Sequence, residues 1–219
     1  MIKTTIVGFG DSLTYGYGVD MNSSYIDRLD KYMPIFYPSI SWNIVKKGVN
    51  GDNTRDALKR LKTDVLNLNP NIVIVLFGTN DSSTYDSQFC SQLEFEENLS
   101  TIITSIKSHN NRTGLNGCIP IPMLVTPPPV IDEKVAPFIS CNRIKHYAYI
   151  TKKLGEKFHC PVVDFYNYMI EESDGNIENF LQEDGVHLNS TGYDCLYDCI
   201  FSEITKLITY EGILKDYNI

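Results

Sequence analysis

No apolar run in this chain approaches the ~20 residues that a membrane-spanning helix needs, so no membrane span is expected. Positive charge is also in short supply. Lys and Arg number 19 against 27 Asp and Glu, a net charge of −8. Binding to phosphate backbones rests on Lys and Arg, so nucleic acid is not expected as a partner. The chain holds four histidines and six cysteines, with no CxxC pair and no zinc-like Cys/His grouping. Cys90, Cys118, Cys141, Cys160, Cys195 and Cys199 read as buried thiols of a reducing compartment, with Cys195 and Cys199 on one helical face. No basic-then-apolar leader precedes the first strand-like segment, so a cytoplasmic location is expected. There is no internal repeat, low-complexity tract or long linker, so residues 1–219 are expected to form one domain.

The remaining composition, 42% hydrophobic and 21% charged, suffices for a substantial core, and its pattern alternates between two periods. Strands are expected at 4–7, 42–49, 71–77, 121–125 and 162–165. The segment 71–77 is continuously apolar, which reads as a strand buried on both faces. Helical spacing appears over residues 54–68, then in Phe95, Leu99, Ile102, Ile103 and Ile106. It recurs from Ile144 to Phe158 and again through Leu196, Cys199, Ile200, Ile204 and Leu207. Five strands alternating with helices imply an α/β fold with a parallel sheet covered on both faces. The acidic group Glu171, Glu172, Asp174 and Glu178 reads as a solvated face.

Ligands of such sheets bind beyond the carboxyl ends of the strands. The first strand runs into Gly8-Phe9-Gly10-Asp11-Ser12-Leu13-Thr14, where glycines permit a sharp turn that presents Ser12. Gly48-Val49-Asn50-Gly51-Asp52-Asn53 follows the second strand, and Gly78-Thr79-Asn80-Asp81 the third. Asp184-Gly185-Val186-His187 stands ahead of the last helix. Ester hydrolysis needs a hydroxyl nucleophile, a base near neutral pKa, a carboxylate to orient that base, and donors for the oxyanion. Histidine suits the second role because its unperturbed pKa is ~6.5. Ser12, His187, Asp184, Gly51 and Asn80 supply a candidate for every role, although Asn80, Gly51 and Asp184 each also suit an ordinary turn. His109, His146 and His159 read as surface or structural residues.

With these residues in place, the chain resembles the SGNH, or GDSL, hydrolase family. Gly10-Asp11-Ser12, Gly51, Gly78-Thr79-Asn80-Asp81 and Asp184-Gly185-Val186-His187 match the family's four blocks in order and span most of the chain. The resemblance implies a flavodoxin-like three-layer α/β/α sandwich with a five-stranded parallel sheet. It implies Ser12 as nucleophile, His187 as general base and then acid, and Asp184 as orienting carboxylate. The oxyanion hole would comprise the backbone N–H groups of Ser12 and Gly51 and the side-chain amide of Asn80. No metal or organic cofactor is implied. The stretch 166–182 is longer and more acidic than in the simplest members, which bears on the shape of the substrate site.

The expected activity is hydrolysis of a small-molecule ester through an acyl-enzyme. Tyr15, Tyr17 and Pro128 are candidates to line the substrate cleft, either as an apolar wall or as a stacking surface for a sugar in a carbohydrate O-deacetylase. Packing roles for both tyrosines fit equally. The rival from another class is a non-catalytic flavodoxin-like binding module. Gly8-x-Gly10 is a fragment of a dinucleotide fingerprint, but Leu13 stands where the third glycine belongs.

Overall fold

The computed structural model describes residues 2–109 and 119–210; Cys118 lies outside them. Strand β1 (Ile2–Gly10) pairs in parallel with β2 (Ile40–Gly48) on one side and with β3 (Ile72–Leu76) on the other. Strands β4 (Ile121–Val125) and β5 (Val162–Val163) extend the sheet, giving the order β2-β1-β3-β4-β5 with every pairing parallel. Side chains alternate across a strand, so Ile6, Ile72 and Ile74 enter one core while Val7, Val73 and Val75 enter the other. All five residues of β3 are buried, which is why that segment has no polar face.

Helix α1 (Ser12–Tyr15) is a single turn directly after β1. On one side of the sheet, α2 (Tyr25–Phe36) packs Ile26, Leu29 and Met33 with Leu196, Ile200 and Ile204 of the C-terminal helix. On the other side lie α3 (Thr54–Asp64) and α4 (Gln92–Lys107). The connections then run through α5 (Asp132–Val135), α6 (Cys141–Phe158), α7 (Phe165–Glu172) and α8 (Ser190–Tyr210). Serine or asparagine caps begin four helices: Ser24, Asn53, Ser91 and Ser140 each accept a backbone N–H from the first turn. The result is the three-layer α/β/α arrangement that the sequence leads one to expect.

Several boundaries differ for physical reasons. The helical reading of 54–68 divides, because α3 closes at Val65 and a separate 3₁₀ turn spans Leu66–Leu68. Strand β5 stops at Val163, since the Asp164 side chain accepts the Asn167 N–H and starts α7, turning Phe165 into a helical core residue. Helix α2 is absent from the sequence reading, although Tyr25, Ile26, Leu29 and Met33 form a buried stripe. Its Pro34 falls in the last turn, where little helix remains to be broken. Among the described cysteines, all free thiols, only Cys90 is fully buried, while Cys141, Cys160, Cys195 and Cys199 are half-buried. Glu171, Glu172, Asp174 and Glu178 are exposed, as a solvated face requires.

The chain leaves β1 toward β2 and returns on the opposite side as β3. This reversal opens a crevice at the carboxyl ends of the strands. The three ends are level there, with Gly10 paired to Gly48 and to Leu76. Gly48 lies directly under α1, and a Cβ on it would overlap the Tyr15 backbone N. Backbone cannot yield as a flexible side chain can. Gly48→Ala is therefore expected to cost about 2–3 kcal/mol, read as a lowered urea midpoint at unchanged slope. An unchanged midpoint would refute this packing account.

Candidate active site

Ser12 owes its position to a turn held from three sides. Asp11 caps α1 by accepting the Leu13 N–H at 2.9 Å, and Gly16 ends the helix in a left-handed conformation with its N–H on Ser12 O at 3.0 Å. The Tyr193 hydroxyl of α8 donates to Leu13 O at 2.9 Å, and the hydroxyls of Thr14 and Tyr25 lie 2.9 Å apart. Ser12 is left 8% exposed, with its hydroxyl facing the crevice loop that carries His187.

That loop is a compact reversal between the 3₁₀ turn Ile177–Phe180 and α8. Leu181 and Leu188 form an antiparallel bridge, and Gln182 N donates to His187 O at 2.7 Å. Asp184 Oδ1 accepts the backbone N–H groups of Val186 and His187 at 2.9 and 3.0 Å, leaving Oδ2 for the imidazole. His187 Nδ1 lies 2.6 Å from Asp184 Oδ2, and His187 Nε2 lies 3.0 Å from Ser12 Oγ. With the proton on Nδ1 donated to the carboxylate, Nε2 is free to accept from the serine hydroxyl. This is the geometry in which a hydroxyl can be deprotonated as it attacks a carbonyl.

The other two strand ends form a polar rim. Gly51 turns with φ of +81°, a conformation that side-chain-bearing residues rarely take. Asn80 Nδ2 donates to Asp52 O at 2.8 Å, tying the two loops together. Asp81 repeats the tie one residue on, accepting from Thr54 N at 2.9 Å and Thr54 Oγ1 at 2.5 Å. Arg60 pins the loop after β2 to β1: Nε donates to Asp52 Oδ2 at 2.6 Å and Nη2 to Gly10 O at 2.9 Å, while its guanidinium lies over the Phe9 ring.

The remaining candidates separate. Tyr17 is half exposed, and its ring lies 4.4 Å from the imidazole of His187, centroid to centroid. Tyr15 lines a distinct cavity of about 340 Å³ with Val19, Met21, Asp27 and Lys46. Pro128 is buried. His109 bonds Asn69, and His146 and His159 are exposed on and after α6, so none of the three meets the Ser12 crevice. Gly8 packs against Ile26 of α2, an interior use of a glycine that the fingerprint fragment would have spent on a phosphate. Among the described residues, no group of three His, Cys, Asp or Glu is placed to hold a metal ion. No described helix is long and apolar enough to cross a membrane.

Sequence reading missed Gln182 and Arg60. Gln182 Nε2 donates to Tyr17 O and to Leu188 O, each at 2.8 Å, joining the segment after Ser12 to the His187 loop. Neither residue belongs to a motif, and only the folded chain brings their partners together.

Two carboxyls here depart in opposite directions. Burial pushes the Asp184 carboxyl up, but the His187 ring and the Val186 and His187 N–H groups outweigh it and hold it below the ordinary range. Burial pushes Asp11 up from 3.8 to about 7, opposed by the Leu13 N–H and reinforced by the charges of Asp81 and Asp52. Folded protein thus keeps the Asp11 proton that the unfolded chain releases, so its stabilising effect is complete below about pH 4 and lost as pH rises through 7. Between pH 5 and 8, wild type is expected to lose on the order of 2 kcal/mol more stability than Asp11→Asn. Parallel thermal unfolding curves across that window would overturn this reading.

Known proteins match this chain in sequence and in fold. The GDSL-like Lipase/Acylhydrolase family matches residues 9–195. The structure of the lipase/acylhydrolase from Enterococcus faecalis superposes with a TM-score of 0.75 at 31% identity, covering 92% of this chain and 95% of that one. The uncharacterized lipoprotein YqeF of Bacillus subtilis is 34% identical over 122 residues, and the match spans 53% of this chain but only 49% of that protein. The isoamyl acetate-hydrolyzing esterase 1 homolog of Homo sapiens is 26% identical over 235 residues, covering 95% of this chain and 84% of that protein. A match through residues 9–195, taking in all three strand ends and the His187 loop, places this chain in the GDSL-like lipase/acylhydrolase family.

Proposed function

We propose that this protein is a serine esterase that cleaves small carboxylic esters through an acyl-enzyme, using only its own side chains and backbone. One observation carries the reading: His187 bridges Ser12 Oγ and Asp184 Oδ2 at 3.0 and 2.6 Å. In the first half-reaction, Ser12 Oγ attacks the ester carbonyl while His187 Nε2 takes its proton. Asp184, held as a carboxylate by its N–H partners, keeps the imidazole in the right tautomer and stabilises the imidazolium. The oxyanion is met by the N–H groups of Ser12 and Gly51 and by the Asn80 amide. His187 then returns the proton to the leaving alcohol, and a water activated in the same way releases the acid.

A short acyl group is the favoured substrate, supported by the likeness to a protein named for isoamyl acetate hydrolysis. Tyr17, half exposed beside His187, is the side chain best placed to meet the alcohol part. The free thiols of the described cysteines support a reducing, cytoplasmic setting.

Hydrolysis of p-nitrophenyl esters from acetate to long chains tests the reading. Ser12→Ala is expected to abolish turnover without loss of fold, and retention of activity by this variant would sink the proposal. Asn80→Ala is expected to lower kcat by on the order of 10²-fold with a smaller change in KM. Asp184→Asn should lower kcat by roughly 10³–10⁴-fold, and a loss confined to KM would remove Asp184 from its assigned role.

A further inference from the structure

Gln88 stands at the meeting point of the two loops that bear Gly51 and Asn80. Its Nε2 donates to Asn80 Oδ1 at 3.2 Å and lies 3.7 Å from where a Cβ on Gly51 would stand. Its backbone is fixed as well: Gln88 N donates to Tyr85 O at 2.9 Å, and Asn53, the cap of α3, donates its side-chain N–H to Gln88 O at 2.7 Å. Gln88 is half-buried, and its amide is held against Asn80.

A carboxamide has nearly the same shape in its two orientations, one presenting donors and the other an acceptor. Only the partners of its two ends decide which orientation is populated. At Asn80, one end is set by Asp52 O, which accepts from Nδ2 at 2.8 Å. The Asp11 carboxyl approaches the same nitrogen at 3.5 Å. The other end has Gln88 as its donor. Without that donor, Oδ1 loses this partner, and the orientation rests on the contacts of Nδ2 with Asp52 O and Asp11 alone. An amide turned over would aim an oxygen at the developing oxyanion, converting a stabilising contact into a repulsive one.

We propose that Gln88 is a positioning residue that keeps the Asn80 amide in its donating orientation. This inference rests on the reading of Asn80 as an oxyanion donor. Gln88 does not touch the reacting atoms; it acts through Asn80. Its effect is therefore confined to the transition state, appears in kcat rather than KM, and vanishes when Asn80 has no amide to orient.

The test is steady-state hydrolysis of p-nitrophenyl acetate by wild type, Ser12→Ala, Gln88→Met, Gln88→Glu, Asn80→Ala and the Asn80→Ala/Gln88→Met double variant. Methionine keeps the volume of Gln88 but has no donor, and glutamate replaces the donor with an acceptor that attracts Nδ2 and turns the amide. Gln88→Met is expected to lower kcat about 10-fold and Gln88→Glu about 10²-fold, with KM within about twofold. In the Asn80→Ala background, Gln88→Met is expected to change kcat by less than about twofold. Equal losses in both backgrounds, or a kcat unchanged by both substitutions, would overturn the inference while leaving Ser12-dependent hydrolysis intact. An active Ser12→Ala would instead overturn the esterase reading itself, and this inference with it.

Discussion

The site depends on one constraint: β1 ends level with both of its neighbours, Gly10 lying beside Gly48 and Leu76. In a parallel sheet all strands run the same way, so their carboxyl ends share one edge. Three loops that follow Gly10, Gly48 and Leu76 in sequence therefore open at one place. A register slip of one residue would move every side chain of a strand to the opposite face. The alternation of Ile6, Ile72 and Ile74 against Val7, Val73 and Val75 resists such a slip, because both faces of the sheet are buried. Packing that appears remote from the chemistry thus sets the positions of Ser12, Gly51 and Asn80.

Polar ties then convert a shared edge into a defined geometry. Arg60 touches the carbonyl that ends β1 and the carboxylate beside Gly51. Asn80 and Asp81 each reach across to the loop after β2. Gln182 bridges the segment after Ser12 and the His187 loop. Each bond alone is worth about 1 kcal/mol of net stability. Their common effect is to restrict where the loops sit, which matters more for a reaction sensitive to sub-ångström placement. The cost is visible in the buried carboxyls: Asp11 and Asp81 are both pushed up by burial. Negative charge gathered here disfavours the folded state at high pH while serving as anchor points for backbone N–H groups.

Much of this was legible beforehand. The alternation of strand and helix periods announced the layered fold, and the glycine-rich strand ends marked where polar residues would gather. Ser12, Asn80 and the Asp184–His187 pair stood out because their residue types and order fit a single kind of chemistry. Helix α2 went unread although Tyr25, Ile26, Leu29 and Met33 keep helical spacing, and its Pro34 falls in the last turn. Strand β5 was overextended because Phe165 is apolar in either element, and the Asp164 cap rather than hydrophobicity decided between them. The burial of Cys195 and Cys199 was overestimated, since their helical face meets the edge of the core and not its centre.

Local chemistry alone determined which residues had the capacity to act: a serine at a turn, a histidine three residues after an aspartate, an asparagine at a strand end. These follow from residue type and short-range spacing, which the chain carries before it folds. What only the tertiary structure decided is which long-range partners hold them. The 3.0 Å approach of His187 to Ser12 spans 175 residues, and the contacts of Gln88, Arg60 and Gln182 join loops from different strands. Such contacts leave no periodic or compositional trace, because any polar side chain of suitable length satisfies the pattern and only the closed sheet selects the one that reaches.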